Sequence, residues 1–399
     1  MSTGLKMMTE TTQVWDVAVV GGGMVGAALA SGLAGQGFSV VILEQQEPAN
    51  FDAESAPDVR ISAIGAASVA LLKQLEVWPR VQAMRCTPYR KLETWEWQTA
   101  QVGFDAQSLG LPELGYMVEN SVLQLALWQR LQQQEVKVVS PARLKDLQPY
   151  NGGWQLTLEN GEPIKTRLVV GADGANSQVR QLSGIGIQGW NYAQSCMLIS
   201  VRCEQDAGDC TWQQFTPDGP RAFLPLFDHW ASLVWYDNPA RIRQLQAMTM
   251  PQLQQEIKTH FPARLGKVKP VAAGSFPLVR RHATRYVLSG LALVGDAAHT
   301  INPLAGQGVN LGYRDVNALI DTLTTSRDRA EDWASEGVLR SYQRKRRQDN
   351  LLMQSGMDLF YFAFSTPAAP LRIVRNLGLM VAERSGVLKR QALRYALGL

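Results

Sequence analysis

Three short stretches of this chain combine residue types that can do chemistry once a fold positions them. The first is Gly21-Gly22-Gly23-Met24-Val25-Gly26, a G-x-G-x-x-G loop. Gly21 permits a tight turn, Gly23 lets backbone approach a pyrophosphate, and Gly26 lets the following helix pack close to its strand. The helix N-terminus then faces the phosphates. Glu44 lies 23 residues past Gly21, where a carboxylate can bind ribose hydroxyls. Together these form a dinucleotide site. The loop alone does not distinguish FAD from NAD, because both cofactors present the same adenosine and pyrophosphate.

The second stretch is Gly295-Asp296-Ala297-Ala298-His299, followed by Asn302-Pro303-Leu304-Ala305-Gly306-Gln307-Gly308-Val309-Asn310. A carboxylate at the end of a buried strand needs hydrogen-bond donors, and a ribityl chain or ribose supplies hydroxyls. The backbone at Gly306–Gly308 opens a helix whose dipole can stabilise negative charge on a reduced flavin. The third lies between them, Gly171-Ala172-Asp173-Gly174-Ala175-Asn176-Ser177-Gln178-Val179-Arg180. Asp173 and Ser177 also suit a plain helix cap.

Each stretch needs a strand to hold it and a helix to follow. Residues 14–20 are β-branched and aromatic around one acid, the composition of a buried parallel strand, and run into the first glycine loop. A helix over 24–36 and a strand over 39–43 complete a βαβ start. Short apolar strands at 291–294 and 168–170 precede the other two motifs. Residues 17–34 are apolar enough to mimic a membrane span, yet Asp16 precedes them and the glycines make a poor lipid-facing helix. No basic n-region or A-x-A site suggests a secretory signal.

With 399 residues, 46% of them hydrophobic, the chain can bury more than one compact core. Its net charge of +4 is spread along the sequence, which excludes a nucleic-acid binder. Cys86, Cys196, Cys203 and Cys210 lack CxxC spacing and the histidines lack HxxxH spacing, so no metal is expected. So few cysteines in a long chain read as buried free thiols in a reduced, cytosolic protein.

In this order and at these separations, the three motifs resemble the para-hydroxybenzoate hydroxylase class of flavoprotein monooxygenases, over nearly the whole chain. The resemblance implies FAD as cofactor and NADH or NADPH as transient reductant, since no second G-x-G-x-x-G exists. It implies that Gly21, Gly23, Gly26 and Glu44 hold the ADP part. Gly295 and Asp296 would meet the ribityl chain, Pro303 the isoalloxazine edge, and Gly306, Gly308 and Asn310 the pyrimidine carbonyls. Asp173 is linked in that class to FAD and pyridine nucleotide. Arg60, Asn120 and Gln124 also fit a cofactor contact, with a surface salt bridge as the ordinary reading of Arg60. The implied fold is α/β: an FAD-binding Rossmann-like domain (1–80, 111–185 and 281–340), an inserted mixed β-sheet substrate domain (81–110 and 186–280) and a helical C-terminal region (341–399). The implied chemistry is reduction of FAD, addition of oxygen at flavin C4a, and attack of an electron-rich ring on the terminal oxygen.

Strings such as Leu92-Glu93-Thr94-Trp95-Glu96-Trp97 and Trp212-Gln213-Gln214-Phe215-Thr216-Pro217-Asp218-Gly219-Pro220-Arg221 place the resemblance in the ubiquinone-biosynthesis branch. The implied substrates are O2 and a prenylated quinol, demethoxyubiquinol above others. A sister hydroxylase acting at another ring position, a non-catalytic flavin or quinone component, and a flavin reductase of a lipid double bond are the rivals. Trp212, Trp230 and Trp235 can stack on a quinol ring or fill a core. Residues 219–226 read as a turn and a cavity-lining strand. His282 and His299 are the titratable neighbours that can act as base, though a lone histidine beside a motif is more often structural. Arg344, Lys345, Arg346 and Arg347 precede an apolar, aromatic stretch at 357–364, which suits packing on the chain's own domain, on other ubiquinone-biosynthesis proteins, or on the inner face of a membrane as a peripheral contact.

Overall fold

The computed structural model describes residues 13–301, 308–365 and 369–398. Its first eight-stranded sheet orders the strands Val287–Leu288, Leu291–Leu293, Pro163–Gly171, Val14–Val20, Val40–Leu43 and Lys137–Val139, with Gly153–Leu158 and Leu144–Tyr150 extending it antiparallel from Pro163–Gly171. The neighbours from Leu291–Leu293 to Lys137–Val139 are all parallel. Val17, Ala18, Val19 and Val20 are buried on both faces, the condition of a central parallel strand. The helix Met24–Gly35 crosses from one strand to the next, so the segment that mimics a membrane span is the end of a strand, a glycine loop and a core helix.

A second eight-stranded sheet runs His299–Thr300, Val268–Ala283, Ile187–Cys203, Trp230–Asp237, Arg221–Pro225, Cys210–Gln214, Lys91–Trp95 and Gln101–Asp105. It is mixed, since Cys210–Gln214 pairs parallel with Lys91–Trp95 and its other pairs are antiparallel. One face carries Met197, Ile199, Val201, Trp212, Phe223 and Trp235 against the helices Pro239–Gln246 and Met250–His260. The other carries Leu198, Leu224 and Val234, which the two-residue period of a strand turns the opposite way. A three-stranded sheet of Ile61–Gly65, Gly115–Glu119 and Thr87–Tyr89 links the two larger sheets, and Leu224 shares an apolar cluster with Ile61 and Ala63 there.

Helix Gly308–Asp328 follows the second glycine motif, and helices Glu336–Ser365, Ala369–Arg384 and Val387–Leu397 carry the chain through its C-terminal region. Among the described residues, no helix is long and apolar enough to cross a membrane.

Candidate active site

The first glycine loop sits where strand Val14–Val20 meets helix Met24–Gly35. Gly21 has φ +104°, and a Cβ there would lie 2.4 Å from the Ala172 carbonyl oxygen, so only glycine makes this turn. A Cβ on Gly26 would fall 1.9 Å from the Gly21 oxygen, which is the close helix packing the spacing requires. At Gly23, by contrast, a Cβ would meet nothing within 4 Å. Gly23 is also the helix N-cap, and no side chain caps it. The first N–H groups of the helix therefore face open space, the condition that suits a pyrophosphate.

Glu44 closes the loop from the side. Its carboxylate accepts from Gly22 N at 2.5 Å, Gln45 N at 2.7 Å and Gln46 N at 3.1 Å, which leaves room for about one further donor. Gln124 Nε2 and Trp128 Nε1 donate to Gly22 O at 3.0 and 2.8 Å, so helix Asn120–Gln133 braces the same loop. Asn120 accepts from the Ser62 hydroxyl at 2.6 Å. Arg60 is exposed, and its guanidinium has no hydrogen bond or salt bridge among the described residues, in place of the surface ion pair that was its ordinary reading.

The second glycine motif stands directly against the first. Val25 fills the space beside Gly295 and Gly312, where a Cβ would lie 3.3 and 2.5 Å from its methyls. Asp296, on the turn Gly295–Ala297, is exposed to solvent yet has protein packed densely around it, as a residue in a cleft does. That enclosure raises its carboxyl above the usual range, against the pull of His299 and Arg60. The carboxylate has no hydrogen-bond partner among the described residues, so it fits a ligand that brings hydroxyls. Gly308 also opens on space. Asn310 is buried; its oxygen accepts from Gly65 N at 3.0 Å and Ser68 Oγ at 2.7 Å, and its amide nitrogen donates to Ala63 O at 2.8 Å. Pro303 and Gly306 lie outside the described residues.

Asp173 caps as its residue type allows: one carboxylate oxygen accepts from Gln178 N at 2.7 Å and Val179 N at 3.1 Å. Its other oxygen is buried without a hydrogen-bond partner among the described residues. Burial raises this carboxyl, and the cap bonds only partly offset the rise. Buried Arg180 ties this motif to the next, donating to Ala297 O at 2.9 Å and Ala175 O at 3.0 Å. All three motifs thus converge on one cleft.

Behind the Asp296 turn lies a polar network that motif reading missed. Asp315 accepts from Gly295 N at 3.0 Å and lies 2.5 Å from His299 Nε2; its other oxygen accepts from Arg346 Nε at 2.7 Å and Asn350 Nδ2 at 3.3 Å. His282 lies 3.0 Å from Gln354 Oε1 and 3.4 Å from the Tyr286 hydroxyl. Burial, then the nearby positive groups, lower His282 to about 4, so it is neutral at pH 7. Both histidines are buried and face protein. Trp212 and Trp235 are core residues: Trp212 stacks on Phe223, and both point toward the helices 239–260, away from the cleft. Trp230 is half-buried beneath Arg202.

Residues 14–352 match the family model of the FAD binding domain. The chain belongs to the FAD-binding-domain family. The para-hydroxybenzoate hydroxylase resemblance read from the motifs therefore holds, and the glycine loop, the open helix N-terminus and Asp296 fit FAD. The chain is 68% identical over 390 residues to 3-demethoxyubiquinol 3-hydroxylase of Escherichia coli (strain K12), covering 98% of this chain and all of the relative. It is 37% identical to ubiquinone hydroxylase UbiL of Rhodospirillum rubrum, over 97% of this chain and 90% of that one. Among solved structures, p-nitrophenol 4-monooxygenase PnpA of Pseudomonas putida DLL-E4 shares the fold with a TM-score of 0.80 at 18% identity, over 97% of this chain and 98% of that one.

Proposed function

We propose that the chain is an FAD-dependent monooxygenase of ubiquinone biosynthesis that hydroxylates the ring of demethoxyubiquinol, with NADH or NADPH as transient reductant. The observation that carries this reading is the 68% identity across the full length of a relative that bears that activity in its name. When bound, FAD supplies the redox chemistry that couples the nicotinamide to O2.

The chain's own residues do the rest. Gly21, Gly23 and Gly26 with the open helix N-terminus hold the pyrophosphate, and Glu44 takes a ribose hydroxyl with its remaining acceptor site. Asp296 receives the ribityl hydroxyls at the cleft floor, Gly295 sets the turn that aims it, and Arg60 supplies positive charge across from it. Gln124 and Asn120 brace the cradle. Asp173, with one oxygen spare, is a further acceptor. Gly308 and Asn310 stand at the start of the helix that points at the flavin ring, the latter through the strand it ties down. Leu198, Leu224 and Val234, on the sheet face turned toward Ile61 and Ala63, exclude water and seat an apolar ring. A quinol already carries activating hydroxyls, so its orientation and deprotonation are the main demands on the protein. The division of labour follows the sequence segments: 1–80, 111–185 and 281–340 for the cofactor, 81–110 and 186–280 for the ring. A prenylated substrate also puts the enzyme to work at a lipid surface, beside other enzymes of the pathway.

The test is to incubate the flavin-loaded protein with NAD(P)H, labelled oxygen gas and a short-tailed demethoxyubiquinol and to read product mass. One labelled oxygen on the ring is expected. Flavin reduction with peroxide and no product would overturn the substrate, and unlabelled product would overturn the monooxygenase.

A further inference from the structure

The helix Ala369–Arg384 is built inside out. Its inward side carries charge: Arg375 donates to the two Glu96 oxygens at 2.5 and 2.8 Å, Asn376 Nδ2 to Glu96 at 2.6 Å, and Arg372 Nε at 3.2 Å. Leu379 packs on the same side with Val102 and Phe215 of the substrate sheet region. The outward side carries Ile373, Val374, Leu377 and Val381, exposed by 51, 63, 55 and 68%. At roughly 100° per residue these four occupy an arc of about 100°, and Arg384 continues the same line at its end. An amphipathic helix that packs only on its own protein does the reverse. Leu359, on the helix before it, is 70% exposed as well.

Charge selects what covers this stripe. Residues 369–398 contain six arginines and lysines and one acid, Glu383, in a chain whose whole excess is +4. Arg384, Arg390 and Arg394 are exposed, whereas Glu383 is taken up by Lys389 at 2.7 Å. An aliphatic stripe that runs on to Arg384, in a tail of net positive charge, matches a lipid surface of negative charge. We propose that this helix docks on an anionic bilayer, with Ile373, Val374, Leu377 and Val381 at the headgroup boundary and Arg384, Arg390 and Arg394 on lipid phosphates. The Glu96 cluster fixes the helix to the strand Lys91–Trp95, so docking holds the large sheet against the lipid. That a prenylated quinol waits in that lipid rests on the function proposed above; the docking does not.

The experiment floats the full-length, flavin-loaded protein with vesicles of phosphatidylcholine alone or with phosphatidylglycerol. Wild type is expected to float with the anionic vesicles and to be released by salt. Val374→Glu with Val381→Glu should cut vesicle binding at least about tenfold while flavin content and turnover of a water-soluble, short-tailed quinol stay as in wild type. Arg384→Glu should weaken binding to the anionic vesicles only. Wild type that does not float, a double variant that floats as wild type does, or a wild-type dimer that the double variant splits would each overturn the docking. Short-tailed quinol turnover is read separately: its absence in wild type overturns the proposed function, while flotation alone decides the docking.

Discussion

Asp315 and His299 meet at 2.5 Å beneath the turn that carries Asp296, and the same carboxylate receives Arg346 at 2.7 Å on its other oxygen. Burial alone would raise the Asp315 carboxyl; His299 and Arg346 more than offset it and bring it to about 2. Asp315 also accepts Gly295 N at 3.0 Å, so one buried anion fixes the backbone that aims Asp296. The turn is thus held by buried, hydrogen-bonded polar groups.

Replacing Asp315 tests this. Asp315→Asn keeps the shape but leaves Arg346 without its main buried counter-charge, at a cost of about 3–5 kcal/mol. The expected outcome is a lower denaturation midpoint together with weaker FAD retention, measured by chemical unfolding and by flavin released on dilution. Wild-type stability in the variant would remove the network from the account.

His282 and Asp315 are two of the depressed groups that shape acid stability. An unfolded histidine titrates near 6.5 and folded His282 at about 4, so its contribution is whole above roughly pH 6.5 and lost as pH falls toward 4. That loss amounts to as much as about 3 kcal/mol. Asp315 contributes fully above roughly pH 4 and gives way as pH falls toward 2. Thermal unfolding followed from pH 8 downward should therefore show an upper decline between about pH 6.5 and 4 that is absent in His282→Asn. A decline of equal size in that variant would assign it to other groups.

The two glycines of the first loop separate folding from cofactor binding. A Cβ at Gly23 meets open space, so Gly23→Ala should leave the apo-protein's unfolding midpoint nearly unchanged and weaken FAD at least about tenfold by crowding the pyrophosphate. Gly26→Ala drives a methyl into the Gly21 oxygen and should lower the midpoint itself. Equal effects of the two on apo-protein stability would mean that Gly23 has a packing role.

What the sequence made legible were the features whose parts lie close along the chain. The Gly21–Gly26 loop, its strand and helix, and the Gly295–Asp296 turn are each local, and their residue types have few other uses. Asp315 is local too, but its partner Arg346 is 31 residues away and sits inside a run of four basic residues that looks like a solvated face. One signal was available: Asp315 lies four residues from both Leu311 and Leu319, on the buried stripe of its helix, where an acid requires a partner. Trp212 and Trp235 were open to either role because strand alternation gives two faces without saying which one meets the cleft. Glu96 and Arg375, 279 residues apart, share no pattern that a single chain reveals.

The Glu96–Arg375 pair sets where the fold loosens first. Glu96 is buried, and four donor contacts from Arg372, Arg375 and Asn376 converge on it. Burial would raise its carboxyl, yet these partners hold it below the usual range, so it stays charged through neutral pH. Glu96→Ala leaves buried Arg375 facing a gap, and the penalty of roughly 3 kcal/mol or more falls on the joint between the strand Lys91–Trp95 and the helix Ala369–Arg384. Because the first sheet lies away from this joint, the helix should loosen before the cofactor domain unfolds. Hydrogen exchange is expected to quicken across Ala369–Arg384 and the strand Gln101–Asp105, where Gly103 N donates to Glu383 at 2.9 Å, while Val14–Val20 keeps its protection. Uniform quickening through both sheets would show instead that the joint and the cofactor domain unfold as one unit.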